Sequence, residues 1–212
     1  MEKFKVGILG ATGMVGQRFA TLLENHPWFE LTCLAASPRS KGKTYEEAVG
    51  DKWKLDIPMP ESVKKMVIKD VSDIESVKEG LDFVFSAVDM NKEEILAIEE
   101  AYAKAELPVV SNNSAHRWTE DVPMVVPEII ERQRKRLGTK EGFIAVKPNC
   151  SIQSYTPAFA AWKEFEPYQA VISTYQAISG AGKNFETWPE MVGNIIPYIG
   201  GEEEKSEREP LR

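Results

Sequence analysis

Apolar residues alternate along this chain between short unbroken runs and helical stripes. Residues 5–9, Lys-Val-Gly-Ile-Leu, read as a short buried strand, and residues 13–24 as a helix with Val15, Phe19, Leu22 and Leu23 on one face. A second strand is expected at 31–36. After a polar loop, further strands are expected at 65–69, 81–87 and 109–111, with a helix over 91–105 before the last of them. This alternation implies an α/β architecture, a mostly parallel sheet with helices on both faces. Residues 128–137 read as a charged surface helix leading to one more buried strand at 142–146. Residues 154–165 read as a helix, and the apolar alternation over 170–178 as a strand of a second sheet.

The first strand ends in Gly10-Ala11-Thr12-Gly13-Met14-Val15-Gly16. In that strand-turn-helix context the glycines suit a dinucleotide turn: one for the tight bend, one for close approach of a pyrophosphate, one for helix packing. Amides opening the next helix can hold the phosphates. The spacing differs from G-x-G-x-x-G, and a purely structural glycine turn is the alternative. The second strand runs into Ala36-Ser37-Pro38-Arg39-Ser40-Lys41-Gly42-Lys43, which has hydroxyls and cations but no acid. An acid there would accept from the ribose hydroxyl of NAD and repel the 2′-phosphate of NADP, so NADP is the expected cofactor. The fold expected is a Rossmann-type dinucleotide-binding domain over 1–148, and the family resemblance carried by the motifs that follow implies that 149–212 is the first part of a mixed α/β substrate and dimerisation domain.

Lys147-Pro148-Asn149-Cys150-Ser151-Ile152-Gln153 lies between the strand at 142–146 and the helix at 154–165. Pro148 stops the strand and Ser151 can cap the first helical turn, which puts Cys150 at or beside a helix N-terminus. The positive end of the helix dipole favours a thiolate, so Cys150 is the candidate nucleophile. The alternative is a buried structural cysteine, and polar neighbours on both sides argue against it.

Composition narrows the class. The 212 residues, 42% hydrophobic and 28% charged, suit one large or two small soluble domains. A net charge of −7 disfavours nucleic acid and anionic membranes as partners. No apolar run approaches a transmembrane length, and the N-terminal residues lead straight into a strand without a signal-peptide core. The two cysteines, Cys33 and Cys150, make neither a disulfide framework nor a metal site and fit a reducing cytoplasm. Cys33, inside an apolar strand, is expected in the core.

Five segments carry a family resemblance: the Gly10 to Gly16 run, Ser37-Pro38-Arg39-Ser40, Ser111-Asn112-Asn113-Ser114-Ala115-His116-Arg117, Asn149-Cys150-Ser151, and Thr174-Tyr175-Gln176-Ala177-Ile178-Ser179-Gly180-Ala181-Gly182. Together they resemble aspartate-semialdehyde dehydrogenase, most closely its archaeal and fungal branch, and the resemblance extends over essentially the whole chain. It implies reversible conversion of L-aspartyl 4-phosphate to L-aspartate 4-semialdehyde with NADPH, within amino-acid biosynthesis. Cys150 would be the nucleophile that displaces phosphate to form a thioacyl enzyme, with Gln176 orienting the substrate beside it.

The resemblance assigns further roles. Gly10, Thr12, Gly13, Met14, Val15, Gly16, Ser37, Arg39, Ser40, Ser86, Ser179 and Gly180 match cofactor-contacting positions. Arg117 matches the phosphate-binding arginine, whose fork suits two phosphate oxygens. In Gly201-Glu202-Glu203-Glu204-Lys205, Glu202 would meet the substrate amino group and Lys205 the phosphate; a solvated charged face is the alternative. His116 is expected to be a solvated loop residue, and His26, before Pro27, a helix-end turn residue. The small-molecule substrate and inorganic phosphate are the implied partners, with a homodimer or homotetramer as the assembly.

The chain departs from the family pattern after the E-x-x-K segment. The family's carboxylate-binding arginine and acid/base histidine have no counterpart here, nor does the helix that closes its first domain. The expectation is that residue 212 falls within the second domain and that the chain alone is inactive. Alternatives are a malonyl- or succinyl-CoA-type reductase of the same fold, N-acetyl-glutamyl-phosphate reductase, whose cysteine motif fits less well, and a noncatalytic NADP-binding regulator.

Overall fold

The computed structural model describes residues 2–132 and 142–211. They form β1 (Phe4–Leu9), α1 (Met14–Leu22), β2 (Phe29–Ala36), α2 (Tyr45–Val49), α3 (Glu61–Lys64), β3 (Lys69–Asp70), α4 (Ile74–Lys78), β4 (Phe83–Ser86), α5 (Lys92–Lys104), β5 (Val109–Ser111), β6 (Ile144–Val146), α6 (Cys150–Ala161) and α7 (Glu202–Arg208). The chain separates into two compact units, one of residues 1–125 with 132–147 and one of 126–131 with 148–212.

In the first unit the six strands lie in the order β3-β2-β1-β4-β5-β6, every described pair parallel. The order reverses direction between β1 and β4, the place where an open α/β sheet binds ligands beyond its strand ends. Leu9 pairs with Ala35 on one side and Ser86 on the other, so the carboxyl ends of β2, β1 and β4 finish level. One core cluster centres on Leu9, Val84, Tyr102 and Val109, the other on Ile8, Leu34, Tyr45 and Ile68. The shortness of β4 and β5 does not weaken them, because both are central strands with a partner on each side.

Helix α5 begins and ends within one residue of the expected bounds. Asn91 caps it by accepting from the Glu94 amide at 2.9 Å, and the Glu94 carboxylate accepts from the Asn91 amide in return, a capping box. Cys33 lies in the core as expected. His26 also serves a turn: its Nδ1 accepts from the Trp28 and Phe29 amides, and its ring stacks on Phe29 at 4.5 Å.

Several expectations need correction. The buried side of α1 is Gly16, Gln17 and Ala20, with Leu23 just beyond, whereas Val15 and Leu22 are exposed. Close approach of the helix to the glycine turn rotates the small residues inward. The strand expected at 65–69 is only Lys69–Asp70, because Met66 and Ile68 instead exchange hydrogen bonds with Gly42, Lys43 and Tyr45 in a local antiparallel bridge. The expected helix at 128–137 is, over Pro127–Arg132, a 3-10 segment kinked at Ile129; its remainder lies outside the described residues.

In the second unit, α6 starts earlier than expected, at Cys150, and ends at Ala161 before a 3-10 turn over Lys163–Phe165. No strand forms at 170–178. A strand requires a ladder partner, and among the described residues this segment has none; Val171 and Tyr175 are 93% and 91% exposed.

Candidate active site

At the carboxyl ends of β1, β2 and β4 the glycine run forms one side of a cleft of about 220 Å³. Gly10 turns the chain at φ 80°, and a Cβ there would lie 2.3 Å from the Ala87 carbonyl oxygen. Gly16 is equally obligatory, since its Cβ would come within 2.3 Å of the Gly10 oxygen. Gly13 differs: a Cβ would meet only that oxygen, at 3.5 Å, so its open side faces the cleft approach. As N-cap of α1 it offers no side chain to the first-turn amides, and no acid lies in that turn. Uncapped amides beside an open glycine fit an anionic pyrophosphate.

The loop is held from behind. Gln17 donates to the Thr12 and Lys52 carbonyls, both at 3.0 Å, and accepts from the Lys54 amide at 2.9 Å. The buried Tyr45 hydroxyl donates to the Ala11 carbonyl at 2.9 Å. Ser37 lines the cleft with Gly10, Thr12 and Gly13, facing residues 87–90. Pro38–Ser40 form a 3-10 turn directly after Ser37, with Arg39 exposed. Two hydroxyls and one guanidinium on a single turn, with no acid among them, fit a ribose phosphate. Met14 is half-buried and Val15 exposed at the start of α1, where their main-chain amides are the groups that matter.

Ser86, directly before the cleft residue Ala87, is fully buried, and its hydroxyl donates to Glu99 at 2.6 Å. His116 requires a correction. Far from solvated, it is 1% exposed, with Nδ1 3.1 Å from Thr119 Oγ1. Beside it Arg117 is buried, its Nε donating to the Lys147 carbonyl at 3.1 Å.

In the second unit Cys150 is the first residue of α6 and is exposed. The cap is Asn149, not Ser151: Asn149 Oδ1 accepts from the Ser151 amide at 2.9 Å. Asn149 has φ −54° and ψ 148°, the extended backbone usual at an N-cap, and this turn presents the thiol at the helix start. Around it a polar cluster converges. Asn149 Nδ2 donates to both Glu202 oxygens, Gln176 Nε2 donates to Glu202 at 2.6 Å and to Ser151 Oγ at 3.0 Å, and Lys205 Nζ reaches Glu202 at 2.7 Å. Burial pushes the Glu202 carboxyl up, but the Lys205 and Gln176 hydrogen bonds, the Lys205 charge and Asn149 outweigh it and hold the carboxyl below its usual range. A carboxylate, an ammonium and two amides are thus gathered on the turn that carries an exposed thiol.

Ser179 and Gly180 lie exposed in the 3-10 turn Ile178–Ala181 that follows Gln176. Among the described residues no group of His, Cys, Asp and Glu is placed to hold a metal ion, and no helix is long and apolar enough to cross a membrane.

Residues 5–137 match the family model for the semialdehyde dehydrogenase NAD-binding domain. The chain belongs to the semialdehyde dehydrogenase family. It is 44% identical over 217 aligned positions to aspartate-semialdehyde dehydrogenase of Methanothermobacter thermautotrophicus, covering 97% of this chain and 59% of that protein. It is 41% identical to the Aspergillus fumigatus enzyme of the same name, covering 98% of this chain and 58% of that one. A crystal structure of the Candida albicans enzyme with NADP superposes at a TM-score of 0.80 with 36% identity, over 97% of this chain and 58% of that one. This semialdehyde dehydrogenase chain thus spans under two thirds of the length of the curated relatives it matches.

Sequence reasoning missed several residues of this semialdehyde dehydrogenase chain. Asn149 stood in a quoted motif with no role, although an Asn directly before a helix is a cap signal. Gln17, Tyr45 and Glu99 carried no signal, since nothing local says that a glutamine, a tyrosine or a helical glutamate will turn inward. Glu209 is similar: it is buried and accepts from the Asn149 amide at 2.7 Å.

Proposed function

We propose that this chain carries the cofactor-binding and nucleophile-bearing parts of an NADP-dependent, phosphorylating aspartate-semialdehyde dehydrogenase. The observation that carries the reading is the exposed Cys150 at the start of α6, capped by Asn149 whose amide belongs to the same cluster as Gln176, Glu202 and Lys205. The similarity to named aspartate-semialdehyde dehydrogenases supports it along nearly the whole chain.

In this reading Glu202 receives the substrate ammonium, Lys205 a phosphate oxygen, and Gln176 steers the acyl carbon toward Cys150; Arg117 keeps, by resemblance, the role of a phosphate-binding arginine. The Cys150 thiolate adds to the carbonyl of the acyl phosphate; the tetrahedral adduct re-forms the carbonyl, breaks the bond to phosphate oxygen and leaves a thioacyl enzyme. The dinucleotide, when bound, supplies the hydride equivalent. Gly10, Thr12, Gly13 and Gly16 would bring the backbone amides of Met14 and Val15 to its pyrophosphate. Ser37, Arg39 and Ser40 would hold the 2′-phosphate, and Ser179 and Gly180 match further cofactor-contacting positions by the resemblance. The subunits would pair as a homo-oligomer in the cytoplasm and feed amino-acid biosynthesis.

The test is an assay of phosphate-dependent NADP reduction with aspartate semialdehyde, using protein from the complete gene. Turnover that requires phosphate and is abolished by Cys150→Ser supports the reading. Turnover without phosphate, or a Cys150→Ser protein that retains it, overturns the reading.

A further inference from the structure

Glu99 sits on α5 with no solvent exposure, and all of its described hydrogen bonds fall on one oxygen. Oε1 accepts from Ser86 Oγ at 2.6 Å, Ser111 Oγ at 2.7 Å and Asn113 Nδ2 at 3.0 Å, while Oε2 is buried without a partner. Ser111 Oγ accepts in turn from the Asn113 amide at 3.0 Å, so its own proton points to Glu99. Burying a carboxylate among neutral donors is costly, and an apolar side chain would fill this space more cheaply if packing were its only task.

The three donors have a common address. Ser86 and Ser111 are the last residues of the paired strands β4 and β5, and they face each other in register. Ser86 leads directly into residues 87–90, the wall of the cleft opposite the glycine run. Ser111 leads into the loop carrying Asn113 and Arg117. A main-chain bond from the Asn112 amide to the Ser86 carbonyl, at 2.8 Å, ties the two exits together. Gly10 packs so closely on the Ala87 carbonyl that any drift of this wall would be felt by the glycine turn.

We infer that Glu99 is a positioning residue for the dinucleotide cleft: its Oε1 gathers Ser86, Ser111 and Asn113 and so fixes the wall at 87–90 and the loop at 112–117. The inference rests on the reading of that cleft as a dinucleotide site. What matters is the acceptor at Oε1, because the second oxygen has no hydrogen-bond partner.

The experiment compares Glu99→Gln, which keeps one acceptor oxygen, with Glu99→Leu, which has similar bulk and no acceptor. NADPH binding is followed by fluorescence and hydrogen exchange by mass spectrometry on the whole chain. Glu99→Leu is expected to weaken NADPH binding by about tenfold or more, within the usual span of a coupling between neighbouring sites, and to speed exchange in 86–90 and 111–117 while β2 is unchanged. Glu99→Gln restores both readouts to within about threefold of the parent chain. If Glu99→Leu does not fold, Ser111→Ala, which removes one of the three donors, must shift both readouts in the same direction by a smaller factor. Unchanged exchange in both loops in the foldable variants, or a Gln variant as impaired as Leu, overturns the inference. Failure of the parent chain to bind NADPH would strike the dinucleotide reading alone, and exchange in the two loops still decides the role of Glu99.

Discussion

Asn149 donates its side-chain amide to both carboxylate oxygens of Glu202, at 3.1 and 3.0 Å, across fifty-three positions of sequence. Its other side-chain atom, Oδ1, caps α6. One residue therefore sets both the direction of the helix that bears Cys150 and the place of the acid proposed to receive the substrate ammonium. Glu209 takes the Asn149 main-chain amide, so the short helical segment from Glu202 to Leu211 grips this turn twice.

Asn149→Ala removes the cap and leaves Glu202 with fewer donors. The cap alone contributes roughly 0.5–2 kcal/mol, and urea unfolding should show a loss of at least that size. Asn149→Asp retains the capping oxygen but sets a second carboxylate against Glu202. Its stability should fall further at neutral pH and recover on mild acidification.

The Glu202 network makes a signed pH prediction. Its carboxyl is held below the ordinary range when folded, so the chain binds fewer protons there folded than unfolded. Its contribution is complete above about pH 5 and disappears as pH falls through the folded-state value. The difference in unfolding free energy between the parent and Glu202→Gln, measured across pH, should be largest near neutrality and close on acidification. A gap that widens in acid would refute the assignment.

Thiol accessibility separates the two cysteines. Burial pushes the Cys33 thiol up, with Lys69 partly opposing it, and the side chain is shielded, whereas Cys150 is exposed. Native titration with a thiol reagent should modify Cys150 rapidly and Cys33 only on unfolding. Peptide mapping identifies which residue has reacted.

The glycines predict two different phenotypes. Gly16→Ala forces a Cβ to 2.3 Å from a backbone oxygen and should cost about 1–3 kcal/mol in stability, by the usual cost of overpacking. Gly13→Ala meets nothing closer than 3.5 Å, so it should fold normally and yet bind NADPH less well. Calorimetry and ligand titration on the pair distinguish packing from ligand approach.

Arg39 tests the cofactor choice. A charge-assisted contact to phosphate is typically worth about 1.5–3 kcal/mol, so Arg39→Ala should weaken NADP by roughly ten- to a hundredfold and leave NAD nearly unaffected. Equal losses for both dinucleotides would remove Arg39 from the 2′-phosphate site.

The sequence by itself determined what depends on local chain geometry. Short apolar runs placed the central strands, the stretch between two of them was read as α5, and the run of Gly10, Gly13 and Gly16 marked a turn before any contact was known. Cys150 was legible as a thiol between a strand and a helix. Only the tertiary structure decided which polar residues face inward. Glu99 lies among Glu93, Glu94 and Glu100 on α5, yet it alone of these is fully buried, because β4 and β5 bring Ser86 and Ser111 under it. Val15 and Leu22 looked like core and are exposed, because the contact of Gly16 with the Gly10 turn fixes the rotation of α1. Apolar periodicity records an average preference for burial, whereas a buried hydrogen bond depends on a partner that only strand order and register can deliver.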